Sequence, residues 1–258
     1  LSNSYHGETL GSLSVSNIDL YKKTYKNLMK DTIVVESPDC FMKKESHTDK
    51  KHSEIMFDKM LSSIEKNHSH TCAVILEPLV QCAGYMRMYH PIYLKLLRQA
   101  CNKYKIHLIA DEIAVGFGRT GTMFAYEQSK ITPDIICLSK GITGGYMTLS
   151  TILTTDDIYN AFYDEYTKLS AFLHSHSYTA NPIACATANA SLDLFERNNT
   201  LIHNQALSKY ILESLSDLIN HPNVGDIRQH GMITAIEMVK NKLKMTPFDW
   251  KERRGLKA

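Results

Sequence analysis

Three ionisable side chains stand at or just beyond the ends of short apolar runs along the chain. Glu77, Asp111 and Lys140 each follow a run of aliphatic residues with the length and composition of a β-strand. Ligands of open α/β sheets bind beyond the carboxyl ends of the strands. We therefore expect two carboxylates and one amine at one edge of a sheet, where together they could bind and activate a small molecule.

Asp111 and Lys140 form a pair that suits the chemistry of pyridoxal phosphate (PLP). This cofactor withdraws electrons only while its pyridine nitrogen keeps a proton, and a neighbouring carboxylate keeps that proton in place. A lysine is needed to form an imine with the cofactor aldehyde, to release it to a substrate amine and to move a proton. The spacing alone also fits an aspartate that caps a helix and a lysine that points into solvent, so both interpretations stay open at this point.

Two longer segments around these residues resemble one enzyme family. Residues 109–121 read IADEIAVGFGRTG and are similar to the D-E-[VI]-x-x-G-x-G-R-T-G segment of the class III aminotransferases. Residues 133–145 read PDIICLSKGITGG and resemble the cofactor-lysine segment of the same class. Because both segments occur in the family's order and spacing, we interpret the chain as resembling a class III aminotransferase.

The resemblance implies a role for each matching residue. Asp111 corresponds to the aspartate that pairs with the pyridinium nitrogen, and Ile113 to the apolar residue packed against one face of the ring. Lys140 corresponds to the catalytic lysine that holds PLP as a Schiff base. Arg119 resembles a structural arginine of the same loop. The implied cofactor is therefore pyridoxal 5'-phosphate, and the implied reaction is transamination.

A third motif lies close to the first residue of the chain. Tyr5-His6-Gly7 resembles the aromatic-His-Gly motif that covers the opposite face of the PLP ring in this family. A flat aromatic side chain there stacks on the pyridine ring and orients it. The resemblance also implies that the Tyr5 hydroxyl reaches the bound substrate.

A fourth motif implies a second subunit. Residues 174–182 correspond to the family segment that reaches the cofactor phosphate of the neighbouring protomer, with His176 and Ser177 at that phosphate. Ser177 replaces the more common threonine and keeps the hydroxyl donor, whereas Ser175 replaces a glycine and places a side chain beside the substrate. The resemblance thus implies a homodimer with shared active sites. His174 and His176 lack a third ligand at a sensible spacing, so we predict no metal site.

Other features are similar to one branch of the class. Tyr5–Val15, Gly84–Pro91 and Gly144–Ser150 resemble the enzymes that transfer an amino group from S-adenosylmethionine to 8-amino-7-oxononanoate in biotin biosynthesis. The implied product is 7,8-diaminononanoate. The alternatives are another class III aminotransferase acting on an ω-amino acid or a diamine, and a non-catalytic relative that keeps the fold. A PLP-dependent mutase or racemase of the same fold is a weaker alternative.

Strand-like runs alternate with helical patterns, which predicts an α/β fold with a mostly parallel sheet. The resemblance implies fold type I: a three-layer α/β/α large domain over residues 1–220, then the start of a small α+β domain over residues 221–258. The polar stretch Glu45–Lys66 is interpreted as an exposed loop that leads into a surface helix. The predicted strands are Thr32–Val35, Thr71–Leu76, His107–Ala110, Asp134–Leu138, Thr151–Thr154, Val224–Arg228 and Ile233–Val239; the predicted helices are Pro91–Tyr104, Pro182–Phe195 and Leu201–Leu218.

Composition limits the partners and the compartment. The formal net charge of the 258 residues is +2 and 22% are charged, which argues against a nucleic-acid-binding stripe or a polybasic membrane surface. The six cysteines form no C-x-x-C pair, so we expect a reducing cytoplasm. Leu1 is neither a start methionine nor part of a signal peptide. Because the family's phosphate-binding loop and carboxylate-binding arginine have no counterpart, we expect the chain to be part of a longer protein.

Overall fold

The described chain forms three β-sheets of four, two and three strands, and the two larger sheets contain all the predicted strands except Thr32–Val35. The protein is represented by a computed structural model that describes residues 1–257. Within that range the strands are β1 (Ala73–Leu76), β2 (Val80–Gln81), β3 (Arg87–Met88), β4 (His107–Asp111), β5 (Ile135–Leu138), β6 (Thr151–Thr154), β7 (Val224–His230), β8 (Ile233–Asn241) and β9 (Thr246–Pro247). The α-helices are α1 (Leu10–Val15), α2 (Asp19–Lys22), α3 (Asp49–Asn67), α4 (Ile92–Tyr104), α5 (Asp156–Asn160), α6 (Pro182–Arg197), α7 (Thr200–Ser214) and α8 (Arg254–Lys257).

The larger sheet orders its strands β1-β4-β5-β6. Strands β1, β4 and β5 run parallel, and β6 joins the edge antiparallel to β5. Leu76 of β1 pairs with Ala110 of β4, and Asp111 pairs with Cys137 of β5. The carboxyl ends of the three parallel strands therefore meet at one edge of the sheet, which confirms the predicted arrangement.

Helix α4 connects the first two parallel strands and supplies much of the core. Its buried face carries Tyr93, Leu94, Leu97 and Cys101, which recur at helical spacing and pack against α3. The helix ends at Tyr104, and the left-handed backbone of the following residue, Lys105 (φ 56°), terminates it. The predicted helix is confirmed, except that Pro91 precedes the first helical residue and does not lie within the first turn.

The prediction for residues 45–66 was partly wrong. Helix α3 begins after Thr48, whose hydroxyl accepts a hydrogen bond from the Lys51 amide. One face of the helix is exposed, as predicted. The other buries a row of apolar side chains in the main core, and it was missed because lysine and serine residues dilute the apolar pattern. That row consists of Met56, Phe57, Met60 and Ile64.

Two other predicted elements differ from the structure. Residues 32–35 form no strand within the described chain; the Val35 carbonyl accepts one bond from the Ser2 amide, and Ile33 and Val34 are exposed. An apolar run makes a strand only where a partner completes its backbone hydrogen bonds. The predicted helix 201–218 ends at Ser214, and a short 3₁₀ helix follows over Ser216–Asn220.

The three-stranded sheet contacts earlier parts of the chain through the Arg228 side chain and through the backbone at Gly231, among other contacts. Arg228 of β7 donates from Nε to the Met86 carbonyl at 2.9 Å and from Nη2 to the Tyr85 carbonyl at 2.6 Å. Gly231, in the turn before β8, lies so close to Thr120 that an added Cβ would stand 2.4 Å from the Thr120 carbonyl carbon. Strands β7, β8 and β9 form this sheet in that order. The predicted division of the chain at residues 220 and 221 stays a prediction.

Membrane insertion by a helix finds no support in the described chain. Among residues 1–257, no helix combines the length and the apolar character that crossing a bilayer demands.

Candidate active site

Asp111 is the last residue of β4 and lies at the carboxyl edge of the sheet. Its side chain is buried, and each carboxylate oxygen has a partner. Oδ1 accepts a hydrogen bond from the Ile113 amide at 3.1 Å, and Oδ2 lies 2.7 Å from Nδ1 of His6. These two contacts fix the carboxylate in one orientation, as a site that must hold a ligand atom at a defined position requires.

His6 is a site residue to which the sequence reasoning assigned no role. Its imidazole is buried, and Nε2 has no hydrogen-bond partner among the described residues. The His6 amide donates to Ser16 Oγ at 2.8 Å, so backbone and side chain are both anchored. The Tyr-His-Gly motif could have pointed to His6. Its partner Asp111 lies 105 residues away, and no local spacing reveals such a pair.

A cleft of about 820 Å³ opens beside this pair. His6, Asp111 and Ile113 line it together with Cys137 and Leu138 of β5. The cleft therefore combines a buried, oriented carboxylate with apolar walls. A protonated aromatic nitrogen facing Asp111 and an aromatic ring against Ile113 match these surroundings, so the residues present fit the pyridine ring of PLP.

Lys140 stands at the end of the adjacent strand. One residue separates it from β5, and it begins a 3₁₀ turn over Lys140–Thr143. Its backbone is left-handed (φ 47°), a conformation that a non-glycine residue adopts only when its surroundings impose it. The Thr143 hydroxyl donates to the Met147 carbonyl at 2.6 Å and closes the following loop. The Lys140 side chain is exposed and is not among the residues that line the cleft.

Glu77 completes the group at this edge. It follows β1 directly and is 4% exposed. Oε1 accepts from the Tyr5 amide at 3.1 Å and Oε2 from the Cys82 amide at 3.0 Å. Burial raises the pKa of Glu77 to about 7, against the lowering effect of those two amides; Asp111 raises it further, and the positive charge of Lys140 lowers it. The structure therefore brings all three strand-end groups into one electrostatic environment.

Tyr5 is half-buried next to these groups. Its hydroxyl donates to Glu8 at 3.0 Å, and its ring centre lies 5.1 Å from that of Tyr21. The pKa of Tyr5 is raised, first by desolvation and then by the hydrogen bond to Glu8. The chain neighbour His6 contacts Asp111, so the backbone carries Tyr5 to the same edge of the sheet.

The predicted phosphate segment lies apart from this group. Ser175, His176 and Ser177 are all exposed. The His176 amide donates to the Thr179 hydroxyl at 3.0 Å, and His176 Nδ1 accepts from the Tyr178 amide at 3.1 Å. Within residues 1–257, no hydrogen bond or ion pair joins these three residues to Asp111 or Lys140. Their role at a neighbouring subunit stays a prediction.

The α/β fold and the carboxylate–lysine edge define a PLP-type transferase, and comparison with known proteins names the family. The family model of the class III aminotransferases matches residues 1–256, and the chain belongs to this family. Enzymes of this class depend on PLP, and the fold is fold type I. The predicted family, fold and cofactor are thereby confirmed.

Individual relatives indicate which branch of the family this chain resembles. The chain is 46% identical to adenosylmethionine-8-amino-7-oxononanoate aminotransferase of Helicobacter pylori over 99% of its own length, and 43% identical to the Geobacter sulfurreducens enzyme of that name over 98%. The crystal structure of the Methanocaldococcus jannaschii enzyme of that name superposes with a TM-score of 0.90 at 33% identity, covering 99% of this chain. The chain spans 58%, 56% and 56% of these three proteins, respectively.

Proposed function

We propose that this chain carries the central part of an enzyme that transfers an amino group from S-adenosylmethionine to 8-amino-7-oxononanoate. The product would be 7,8-diaminononanoate, in biotin biosynthesis. The observation that carries the proposal is the buried, doubly hydrogen-bonded Asp111 at the carboxyl end of β4, with Lys140 beyond the end of the adjacent strand. The name shared by the relatives at 37–46% identity supports this choice of substrates.

Asp111 and Ile113 line the cleft, and together with the nearby Tyr5 they would bind the cofactor ring. When bound, PLP supplies an aldehyde carbon and an electron-withdrawing ring. Asp111 would hold a proton on the ring nitrogen, and its contacts with His6 and the Ile113 amide fix the carboxylate in one orientation. Ile113 would pack against one face of the ring, and Tyr5 would cover the other face and touch the substrate. This set of contacts orients the ring before any substrate arrives.

Lys140 carries the covalent and acid–base chemistry. Its Nζ would hold the bound cofactor through the aldehyde carbon and would release it to the substrate amine. The same amine would accept and return the proton that transamination moves, so that one residue would serve as base and acid. S-Adenosylmethionine would thereby become a keto product, and 8-amino-7-oxononanoate would accept the amino group.

We further propose a homodimer with shared active sites. His176 and Ser177 would bind the cofactor phosphate of the partner, and Ser175 would lie beside the partner's substrate. A group of large exposed apolar side chains supports this assembly, because exposed apolar surface is typical of interaction sites; two aromatic pairs within the group, Tyr159–Tyr163 and Phe162–Phe172, are in contact. The exposed residues in question are Tyr159, Phe162, Tyr163, Tyr166, Leu169, Phe172 and Leu173.

The state of the cysteines and the net charge support the proposed compartment and the proposed class of partner. The six cysteines are all free in the structure, which supports a reducing cytoplasm as the compartment. The balanced charge supports small molecules, and neither nucleic acid nor membrane, as partners of the site.

A second candidate function has its own structural support. An (S)-enantioselective ω-transaminase from Thermomicrobium roseum superposes with a TM-score of 0.88 at 30% identity and covers 99% of this chain. An ω-amino acid or amine could therefore be the donor. The same Asp111 and Lys140 would serve that reaction, so only substrate specificity separates the two candidates.

The test uses a polypeptide with the full length of the relatives. S-Adenosylmethionine should abolish the visible absorbance band of bound PLP, and 8-amino-7-oxononanoate should restore it. A band that ignores S-adenosylmethionine but responds to an ω-amino acid would support the second candidate. A protein that shows no visible band with PLP would refute both.

A further inference from the structure

Glu77 and Asp111 hold two consecutive residues of one loop. The residue before Glu77 pairs with the residue before Asp111 in the parallel ladder, so the two carboxylates stand side by side at the edge of the sheet. Glu77 accepts from the Tyr5 amide and Asp111 contacts the His6 imidazole. The Tyr5 loop (residues 4–9) is therefore anchored at adjacent positions by adjacent strands.

Glu77 also holds a second segment. Its other oxygen accepts from the amide of Cys82, the first residue of the Cys82 loop (residues 82–86) between β2 and β3. The Cys82 loop packs against Asn3, which directly precedes the Tyr5 loop, since a Cβ on Gly84 would stand 2.5 Å from the Asn3 carbonyl oxygen. A single carboxylate thus ties two loops to the end of β1.

This position suits a group with two acceptor oxygens. Both donors are backbone N–H groups, so both oxygens must accept. An amide at this position would present its NH₂ to one of those N–H groups, and that donor would lose its partner. Buried donors without partners are costly, so one loop would move to find another acceptor.

We propose that Glu77 is a positioning residue of the active site: its carboxylate holds the Tyr5 loop and the Cys82 loop against the edge of the sheet and thereby sets the Tyr5 ring over the cofactor. The inference rests on the proposed function to the extent that it requires PLP in the cleft beside Asp111. It makes Glu77 a determinant of ring stacking without contact between Glu77 and the reacting atoms.

Glu112 offers a matched control within the same chain. It is buried, follows Asp111 directly, and accepts from two consecutive amides, Ala125 at 2.9 Å and Tyr126 at 2.9 Å. Those amides begin a 3₁₀ turn that is not part of the Tyr5 loop or the Cys82 loop. Glu112→Gln therefore measures the effect of losing a buried carboxylate with two amide donors that lie outside the Tyr5 loop and the Cys82 loop.

The first arm measures amide hydrogen exchange in the full-length protein without cofactor, at a pH above the Glu77 pKa of about 7. In Glu77→Gln the exchange rate at Tyr5 or Cys82 should rise about tenfold or more, because a hydrogen bond to a charged acceptor is lost. The Ala125 and Tyr126 amides should not change. Glu112→Gln should show the reverse pattern. Unchanged exchange at both Tyr5 and Cys82 in Glu77→Gln would overturn the proposal.

The second arm asks whether Glu77 acts through Tyr5. Glu77→Gln should weaken PLP binding about three- to tenfold, the range that aromatic stacking contributes, and should change the visible circular dichroism of bound PLP. In a Tyr5→Ala background the same substitution should change the affinity less than about twofold, because the two effects share one contact. An equal loss of affinity in both backgrounds would overturn the proposal.

The test still decides the role of Glu77 if Glu77→Gln does not fold or if the proposed substrates are wrong. If Glu77→Gln fails to fold, Glu77→Asp replaces it: the shorter stem cannot reach both amides, so at least one should exchange about tenfold faster. Unchanged exchange at both amides would again overturn the proposal. Neither arm uses a substrate, so a wild-type protein that binds PLP but ignores S-adenosylmethionine would refute the proposed function and leave the role of Glu77 standing.

Discussion

The carboxylate of Asp111 and the imidazole of His6 are joined by a buried contact of 2.7 Å, although 105 residues separate them in the chain. This contact links the Tyr-His-Gly motif to the Asp-Glu-Ile motif. The opposite imidazole nitrogen has no hydrogen-bond partner within residues 1–257, and the neighbouring Tyr5 lies near the carboxyl edge of the sheet. Two sequence motifs of one family are thus physically a single unit.

Replacing His6 should cost stability. In His6→Ala the buried Oδ2 of Asp111 loses its partner, so the free energy of unfolding should fall by about 1–3 kcal/mol. Urea denaturation of the protein without cofactor measures this. As a control, His203→Ala at an exposed position of α7 should change it by less than about 0.5 kcal/mol. Equal stability of both variants would contradict the structural role of the contact.

Two substitutions of Lys140 should distinguish its catalytic role from the strain of its backbone. Lys140→Ala and Lys140→Gly should both abolish turnover and covalent attachment of PLP, which borohydride reduction and mass spectrometry detect. The glycine variant should nevertheless be more stable than the alanine variant by about 1 kcal/mol, because the position has φ 47° and glycine adopts that conformation without strain. Turnover by Lys140→Ala at a near-normal rate would refute the catalytic assignment.

Two buried glutamates should shape the pH dependence of stability. Burial raises the pKa of Glu77 and of Glu112 from 4.5 to about 7 in the folded protein. The folded state therefore binds the proton more tightly than the unfolded state. The stability gained from protonation is complete below pH 4.5 and is lost as the pH rises to about 7.

Each glutamate should contribute a decrease of roughly 3 kcal/mol or less over that interval. Glu77→Gln and Glu112→Gln should each flatten the curve of unfolding free energy against pH by that amount. Denaturation series at several pH values measure it. A wild-type slope that persists in both variants would show that these carboxyl groups are not its source.

Substitution by alanine should destabilise the protein far more at Gly231 than at Gly145. Both have positive φ angles, 60° and 84°, so a Cβ is strained at either position. A Cβ on Gly231 would lie 2.4 Å from the Thr120 carbonyl carbon, whereas one on Gly145 meets nothing within 4 Å. Gly231→Ala should therefore destabilise the protein by about 1–3 kcal/mol more than Gly145→Ala, as thermal denaturation would show. Equal losses of stability in the two variants would mean that Gly231 does not pack tightly against residues 119–121.

Much of the fold was predictable because its elements have strong local signals. Strands β1, β4, β5 and β6 lie where the apolar runs placed them, within two residues. Helix α6 begins after Asn181, whose side chain accepts from the Ile183 and Ala184 amides. In these cases the local pattern and the tertiary packing agree, so the pattern alone suffices.

The failures have the opposite cause. Thr32–Val35 has the composition of a strand but finds no strand partner within the described chain. Helix α3 reads as a surface helix, yet four apolar residues spread over its length turn one face into core. Both outcomes depend on which other segments pack against residues 32–35 and helix α3, and the local sequence of either segment does not specify its neighbours.

The sequence by itself determined the chemistry of the site, since the side chains of Asp111 and Lys140 and the motifs around them specify which groups are available to a cofactor. Only the tertiary structure decided how those groups are held. Parallel pairing of β1 with β4 places Glu77 beside Asp111, and the two carboxylates then anchor Tyr5 and His6. The physical reason is that hydrogen bonds across such sequence distances exist only after the sheet has brought the strand ends together, whereas residue type is present in the unfolded chain.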